Sequence, residues 1–288
     1  MSRSRPAGAA MAAALAVWVA AAAGQEPTFK ARVDEVRIDV LVTERGRAVT
    51  GLTAADFEVK DNGALQPVHL VSLGDVPVAA VLALDLSRSV AGPRLEALKR
   101  AGLSFVDALT PADSAALVGF NRLAVQHVGL THDLDLVRRG LARAAALGDT
   151  ALVDATLAAM LLGDADAGRT LVVVFSDGVD TASFTSPELA LATARRVNGV
   201  VYAVSASREA PTFLQDVADA TGGRVIDLAA DGDPAPAFVE ILREFRQRYV
   251  ISFTPSEGAA GGWHTLDVRV KQSGMRALSR RGYFAGRP

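Results

Sequence analysis

Residues 78–89 read Val78-Ala79-Ala80-Val81-Leu82-Ala83-Leu84-Asp85-Leu86-Ser87-Arg88-Ser89. The opening apolar run is too short for a buried helix and suits a strand covered on both faces, as in a parallel sheet. Runs of the same kind recur at Ala115 to Phe120, Leu171 to Phe175 and Val200 to Val204. Helical spacing fills the intervals. Leu95, Leu98, Gly102, Phe105, Val106 and Leu109 share one face, as do Leu134, Val137, Leu141 and Ala145. Ala151 to Leu162, Pro187 to Val197 and Ala235 to Arg246 are further helices, with Ser186 placed to cap the second and Pro187 at its first position. Strand–helix alternation with buried strands predicts an α/β domain over residues 76–246, a doubly wound and mostly parallel sheet.

Outward from that domain the period drops to two. Val36, Ile38, Val40 and Val42 face one way, while Arg37, Asp39 and, exceptionally, Leu41 face the other. Phe57 to Lys60 and Val68 to Val71 are short strands, with the turn signal Asp61-Asn62-Gly63 between them. After residue 246, Tyr249, Ile251 and Phe253 alternate with polar neighbours, and Leu266, Val268 and Val270 do the same. The glycine-rich stretch Pro255 to Gly262 suggests a hairpin connection. Residues 28–75 and 247–288 are thus expected to be β segments that pair into one small flanking module, since either alone would be marginal in water.

The chain start has another character. Arg3 and Arg5 precede an apolar, alanine-dominated run from Ala9 to Ala20, and small residues lead to Gln25. This is the layout of a secretory signal peptide over residues 1–24, which places the mature chain outside the cytoplasm, secreted or periplasmic, with no membrane span. Among 288 residues there are 30 Lys+Arg and 32 Asp+Glu, a formal net charge of −2, so no whole-molecule field draws the protein to nucleic acid or anionic lipid. No cysteine is present, which removes disulfides, thiolate metal sites and cysteine nucleophiles together.

Open α/β sheets bind ligands at the carboxyl ends of their strands. Asp85, Ser87 and Ser89 follow the first buried run, Thr150 precedes a helix, and Asp177 follows the third run. Two carboxylates and three hydroxyls at one edge form a hard-oxygen set of the kind magnesium takes, with manganese or calcium as alternatives. Two carboxylates balance a divalent charge, so the ion stays electrophilic toward a further anion.

In type and order these residues resemble the metal-ion-dependent adhesion site of von Willebrand factor type A domains. The resemblance spans roughly residues 76–246, and the flanks, Val49 to Thr53 leading to Asp56-Phe57 and the terminal Arg281-Gly282-Tyr283-Phe284, are similar to a secreted bacterial subfamily. It implies a Rossmann-like fold and a non-enzymatic protein-binding module whose metal accepts a carboxylate from a partner protein. Two departures stand out: Arg88 occupies a position that is often glycine, bringing positive charge and an expected reluctance to take φ > 0, and Asp149 adds a negative charge before Thr150.

Alternatives stay open. Each site residue also has an ordinary local reading: Ser87 and Ser89 as turn residues, Thr150 as a helix cap, Asp177-Gly178 as a turn. A scaffold with a decayed, metal-free site is one alternative, and a magnesium-dependent phosphohydrolase using Asp85 is another, although Ser87 stands where such enzymes place a second acid. Asp180 reads equally as ligand or helix-approach residue, and Asp154 as a charge favoured by the helix dipole. His69, His127, His132 and His264 show no metal-binding spacing, and neither Gly-x-Ser-x-Gly nor a phosphate loop is present.

Overall fold

A computed structural model describes residues 35–73, 76–164, 169–207, 210–228, 232–255 and 261–285. The signal-peptide segment lies outside the described residues. In chain order the elements are β1 (Val36–Glu44), β2 (Arg47–Ala48), β3 (Phe57–Asp61), β4 (Ala64–Gln66), β5 (His69–Leu73), β6 (Val78–Asp85), α1 (Pro93–Asp107), β7 (Ser114–Phe120), β8 (Ala124–Thr131), α2 (Leu134–Arg143), α3 (Leu152–Gly163), β9 (Arg169–Ser176), α4 (Pro187–Ala194), β10 (Val200–Ser205), α5 (Thr212–Thr221), β11 (Val225–Asp227), α6 (Ala235–Arg246), β12 (Tyr249–Phe253), β13 (Gly262–Val270), β14 (Met275–Leu278) and β15 (Gly282–Ala285).

The apolar runs form the middle of a six-stranded sheet in the order β11-β10-β9-β6-β7-β8. All neighbours are parallel except β7 and β8. Every residue of β6, β7, β9 and β10 is buried, as two covered faces require. Val78, Ala80, Leu82 and Leu84 pack toward α1, α2 and α6, whereas Val81 and Ala83 pack toward α3, α4 and α5. The helix after β6 therefore covers one face and the helix after β9 the other. That reversal makes the gap between β6 and β9 the topological switch point.

Strands from both chain ends build a second layer pair. One sheet runs β14-β1-β12-β5 with β2 beside β1, and the other runs β15-β13-β3-β4. Ile38, Val40, Phe57, Val59, Tyr249, Ile251 and Phe253 fill the space between them. The α/β domain with a flanking β-module is thus the fold of the chain. One sequence-level expectation fails here: β12 and β13 form no hairpin. Both edges of β12 are taken by β1 and β5, so β13 pairs instead with β3 and β15 in the opposite sheet. Likewise Asp61-Asn62-Gly63-Ala64 turns β3 back into β4, a strand the sequence did not suggest, with Asn62 and Gly63 at positive φ.

Among the described residues no helix is long and apolar enough to cross a membrane.

Candidate metal centre

The last paired residues of β6 and β9 at the switch point are Leu84 and Phe175. Beyond them the two strands release Asp85 and Asp177 side by side. Asp85 is fully buried. Its Oδ1 accepts from the Ser87 backbone N–H at 2.9 Å and its Oδ2 from Ser176 Oγ at 2.8 Å. Burial pushes its carboxyl above the ordinary aspartate value against the pull of those hydrogen bonds, and the nearby Asp177 charge pushes the same way.

Past Asp85 the chain enters a single 3₁₀ turn, Arg88–Val90, with Ser87 extended at its start. That curl brings the two serine hydroxyls together, Ser87 Oγ to Ser89 Oγ at 2.9 Å, and Ser89 Oγ donates to Asp177 Oδ1 at 2.6 Å. Arg94, in the first turn of α1, reaches the other oxygen of Asp177, with Nη1 3.4 Å from Oδ2. Arg88 sits in the 3₁₀ turn at negative φ, so the strain expected of a non-glycine residue there does not arise.

The Thr150 loop is tied on both sides. Arg88 N donates to Gly148 O at 3.0 Å and Leu147 N to Leu86 O at 2.8 Å, which fixes it against the first loop. Thr150 N donates to Thr181 Oγ1, while Thr150 O accepts from Thr181 N and Ala182 N, which fixes it against the segment after β9. The capping alternative fails, because the N-cap of α3 is Ala151 and the first-turn N–H groups of Val153 and Asp154 are taken by Asp180 Oδ1 and Ser183 Oγ. Among the described residues no hydrogen bond engages the Thr150 hydroxyl. The structure therefore joins Ser87, Ser89 and Asp177 directly, joins Asp85 through Ser87 and Ser176, and brings Thr150 in through its backbone.

Asp180 accepts from Val153 N and Ser183 Oγ, so its carboxylate serves the start of α3. Asp154 does more than answer the helix dipole: its oxygens accept from Phe184 N and Thr185 N at 2.9 Å each. Burial acts to raise the Asp154 carboxyl, yet the bonds from Thr185 and Phe184 hold it below the ordinary value. Three contributors escaped the sequence reading: Ser176, Arg94 and Thr181. Only Ser176, directly before Asp177 at a strand end, carried a usable local signal.

Oxygen atoms at neighbouring corners of a magnesium octahedron stand about 3 Å apart, given bonds of about 2.1 Å. Ser87, Ser89 and Asp177 stand 2.9 and 2.6 Å apart as hydrogen-bonded oxygens, a spacing that lets them reach one ion together. Among the described residues no group of three or more His, Cys, Asp or Glu side chains gathers for a metal. The donors present are hydroxyl-rich and hard, and they fit a small divalent cation.

Comparison with known proteins bears on the fold. Residues 80–179 match the family model of the von Willebrand factor type A domain. A von Willebrand factor type A structure from Catenulispora acidiphila aligns at 15% identity and TM-score 0.54, covering 88% of this chain and 75% of that one. Proximal thread matrix protein 1 of the mussel byssus, in a structure with a zinc-occupied MIDAS motif, aligns at 17% identity and TM-score 0.53 over 64% of this chain and 49% of that one. The PilB minor pilin of Streptococcus sanguinis aligns at 14% identity and TM-score 0.50, covering 62% and 63% respectively. This chain spans less than two thirds of the length of either of the last two. Curated proteins compared by sequence give no match. With buried parallel strands, a switch point between β6 and β9, and a family match that runs from inside β6 to just past Asp177, the α/β part of this chain is a von Willebrand factor type A domain.

Proposed function

We propose that the protein is an exported, non-enzymatic interaction module in which Asp85, Ser87, Ser89, Thr150 and Asp177 hold one divalent cation, magnesium first. The observation that supports this most is the convergence of loops from β6 and β9 on hydroxyl and carboxylate oxygens. When bound, the cation supplies a Lewis-acidic position open to a carboxylate of a partner protein. The chain's own residues hold and orient it. Asp85 contributes enclosed negative charge, steadied by Ser176; Arg94 lies against Oδ2 of Asp177, and the ion would take Oδ1 in place of the hydrogen that Ser89 now donates to it. Thr150 brings a hydroxyl that no other described residue uses. Export rests on the signal-like residues 1–24.

Calorimetry tests the proposal. A ligand that binds only the folded state at a hundredfold excess over its Kd stabilises by about 2.7 kcal/mol. Magnesium should therefore raise the wild-type melting temperature and leave Asp85→Ala and Asp177→Ala nearly unmoved, and chelator should release a captured partner. One observation favours a second reading, the metal-free scaffold: Ser89 and Arg94 already compensate Asp177. Identical responses of wild type and Asp85→Ala to magnesium, manganese and calcium would select it.

A further inference from the structure

We infer that the partner segment read at this edge carries a large apolar side chain beside its acidic one, an inference that rests on the metal-dependent reading above. The loops that converge on Asp85 and Asp177 also hold large apolar side chains that the fold leaves in water. Phe184 is 87% exposed, Leu147 67%, Val179 64% and Leu123 49%. They belong to one hydrogen-bonded loop cluster. Leu147 N donates to Leu86 O within the first loop, and Ala151 N donates to Asn121 O at 2.6 Å, beside Leu123. Val179 stands two residues past Asp177, and Phe184 N is held by Asp154 at the start of α3. Four large apolar side chains left in water on loops that surround one polar centre are a surface a partner can cover.

Charge narrows the partner. Arg88 and Arg122 are exposed on the same loops, Arg94 is exposed in the first turn of α1 beside Asp177, and the Gly148 backbone lies close to Arg122. The exposed acids there are Asp149 and Asp180, and the latter is engaged by Val153 N and Ser183 Oγ. With Asp85 and Asp177 neutralised by a cation, this rim favours an anionic segment. An apolar neighbour on that segment leaves water against Leu147, Val179 or Phe184. A lone small carboxylate gains nothing from that apolar rim. The occupant is therefore a protein segment.

A display library of random heptapeptides, captured on the full chain in magnesium and eluted with chelator, tests this directly. The expected pool is enriched in Asp or Glu with Phe, Leu, Ile, Val or Trp within two positions. The doubly exposed variant Leu147→Ser/Phe184→Ser should lose about tenfold in capture, the scale of a residue that matters at an interface. Its stabilisation by magnesium should be unchanged, which separates lost contact from lost metal. Acidic peptides without apolar neighbours, or undiminished capture by the double variant, overturn the inference and leave the metal site standing. Peptides that survive chelator overturn the metal site and the inference with it, and a pool with no enriched feature also overturns the inference.

Discussion

Asp85 and Asp113 are both buried, yet their surroundings move them in opposite directions. Asp113 joins the start of β6 to the end of α1, accepting from Val78 N at 2.8 Å, Thr110 N at 2.6 Å, Thr110 Oγ1 at 2.8 Å and Arg246 at 2.7 Å. Burial opposes its ionisation, but these donors outweigh it and hold the carboxyl below the ordinary value. A depressed carboxyl adds stability that is complete above the unfolded value near 3.9 and is lost as pH falls through the folded one. Asp113→Ala should therefore cost about 3 kcal/mol at pH 7, the low end for a broken buried pair because Arg246 is partly solvated. Urea melts at pH 7 and pH 3 should show that gap shrinking in acid; a gap independent of pH refutes the account. Asp85 has the reverse sign. Its raised carboxyl costs stability as pH climbs above the unfolded value, so in chelator Asp85→Asn should melt no lower than wild type at pH 7, with the advantage fading toward pH 4. Loss of stability at every pH in the variant would show that the Ser87 and Ser176 bonds outweigh burial.

At the scale of elements, the start of α3 and the segment after β9 hold one another reciprocally. Asp154 on the helix takes two backbone N–H groups of the segment, and Asp180 on the segment takes Val153 N of the helix. Asp154→Ala should leave two N–H groups seeking water and cost about 1–2 kcal/mol. Amide exchange over residues 180–186 should accelerate while β6 and β9 stay protected; uniform acceleration would mean the segment is no separate unit. That clasp was illegible in sequence, because its partners lie 27 to 31 residues apart. The buried strands were legible because two covered faces demand unbroken apolar runs, and Asp85 and Asp177 were legible because they follow such runs. Edge strand β8 was not, since Val125, Gln126 and His127 are exposed and its mixed pattern carries no clean period. Helix α5 opened after Pro211 with no capping side chain to announce it. The supposed β12–β13 hairpin failed for a related reason: alternation reports which face is buried, not which strand lies alongside.

Over the whole molecule, buried arginines join the β-module to the α/β domain. Arg169 at the start of β9 pairs with Asp39 of β1 and donates to Phe245 O, with its guanidinium over the Phe245 ring. Arg280 reaches Arg195 O and Asn198 Oδ1 beyond α4. Arg248, between α6 and β12, is 0% exposed and donates to Tyr202 OH in β10 and to the carbonyls of Asp39, Gly222 and Leu278. Gly222 ends α5 at φ +77°, where an added Cβ would stand 2.5 Å from Arg280 N, so this crossing point admits only glycine. A side chain that satisfies carbonyls from both parts makes their unfolding one event, because separating them leaves a buried guanidinium without acceptors. The protein should accordingly show one calorimetric transition. Arg248→Ala should lower stability by about 3 kcal/mol or more, since the Tyr202 hydroxyl and three carbonyls lose a buried donor at once. A chain ending at Phe253 loses β13, β14 and β15, hence one side of the β-module core and Arg280, and should fail to give a cooperative melt. Two resolved transitions in wild type, with Arg248→Ala shifting only one of them, would show instead that the arginines merely decorate a boundary between independent units.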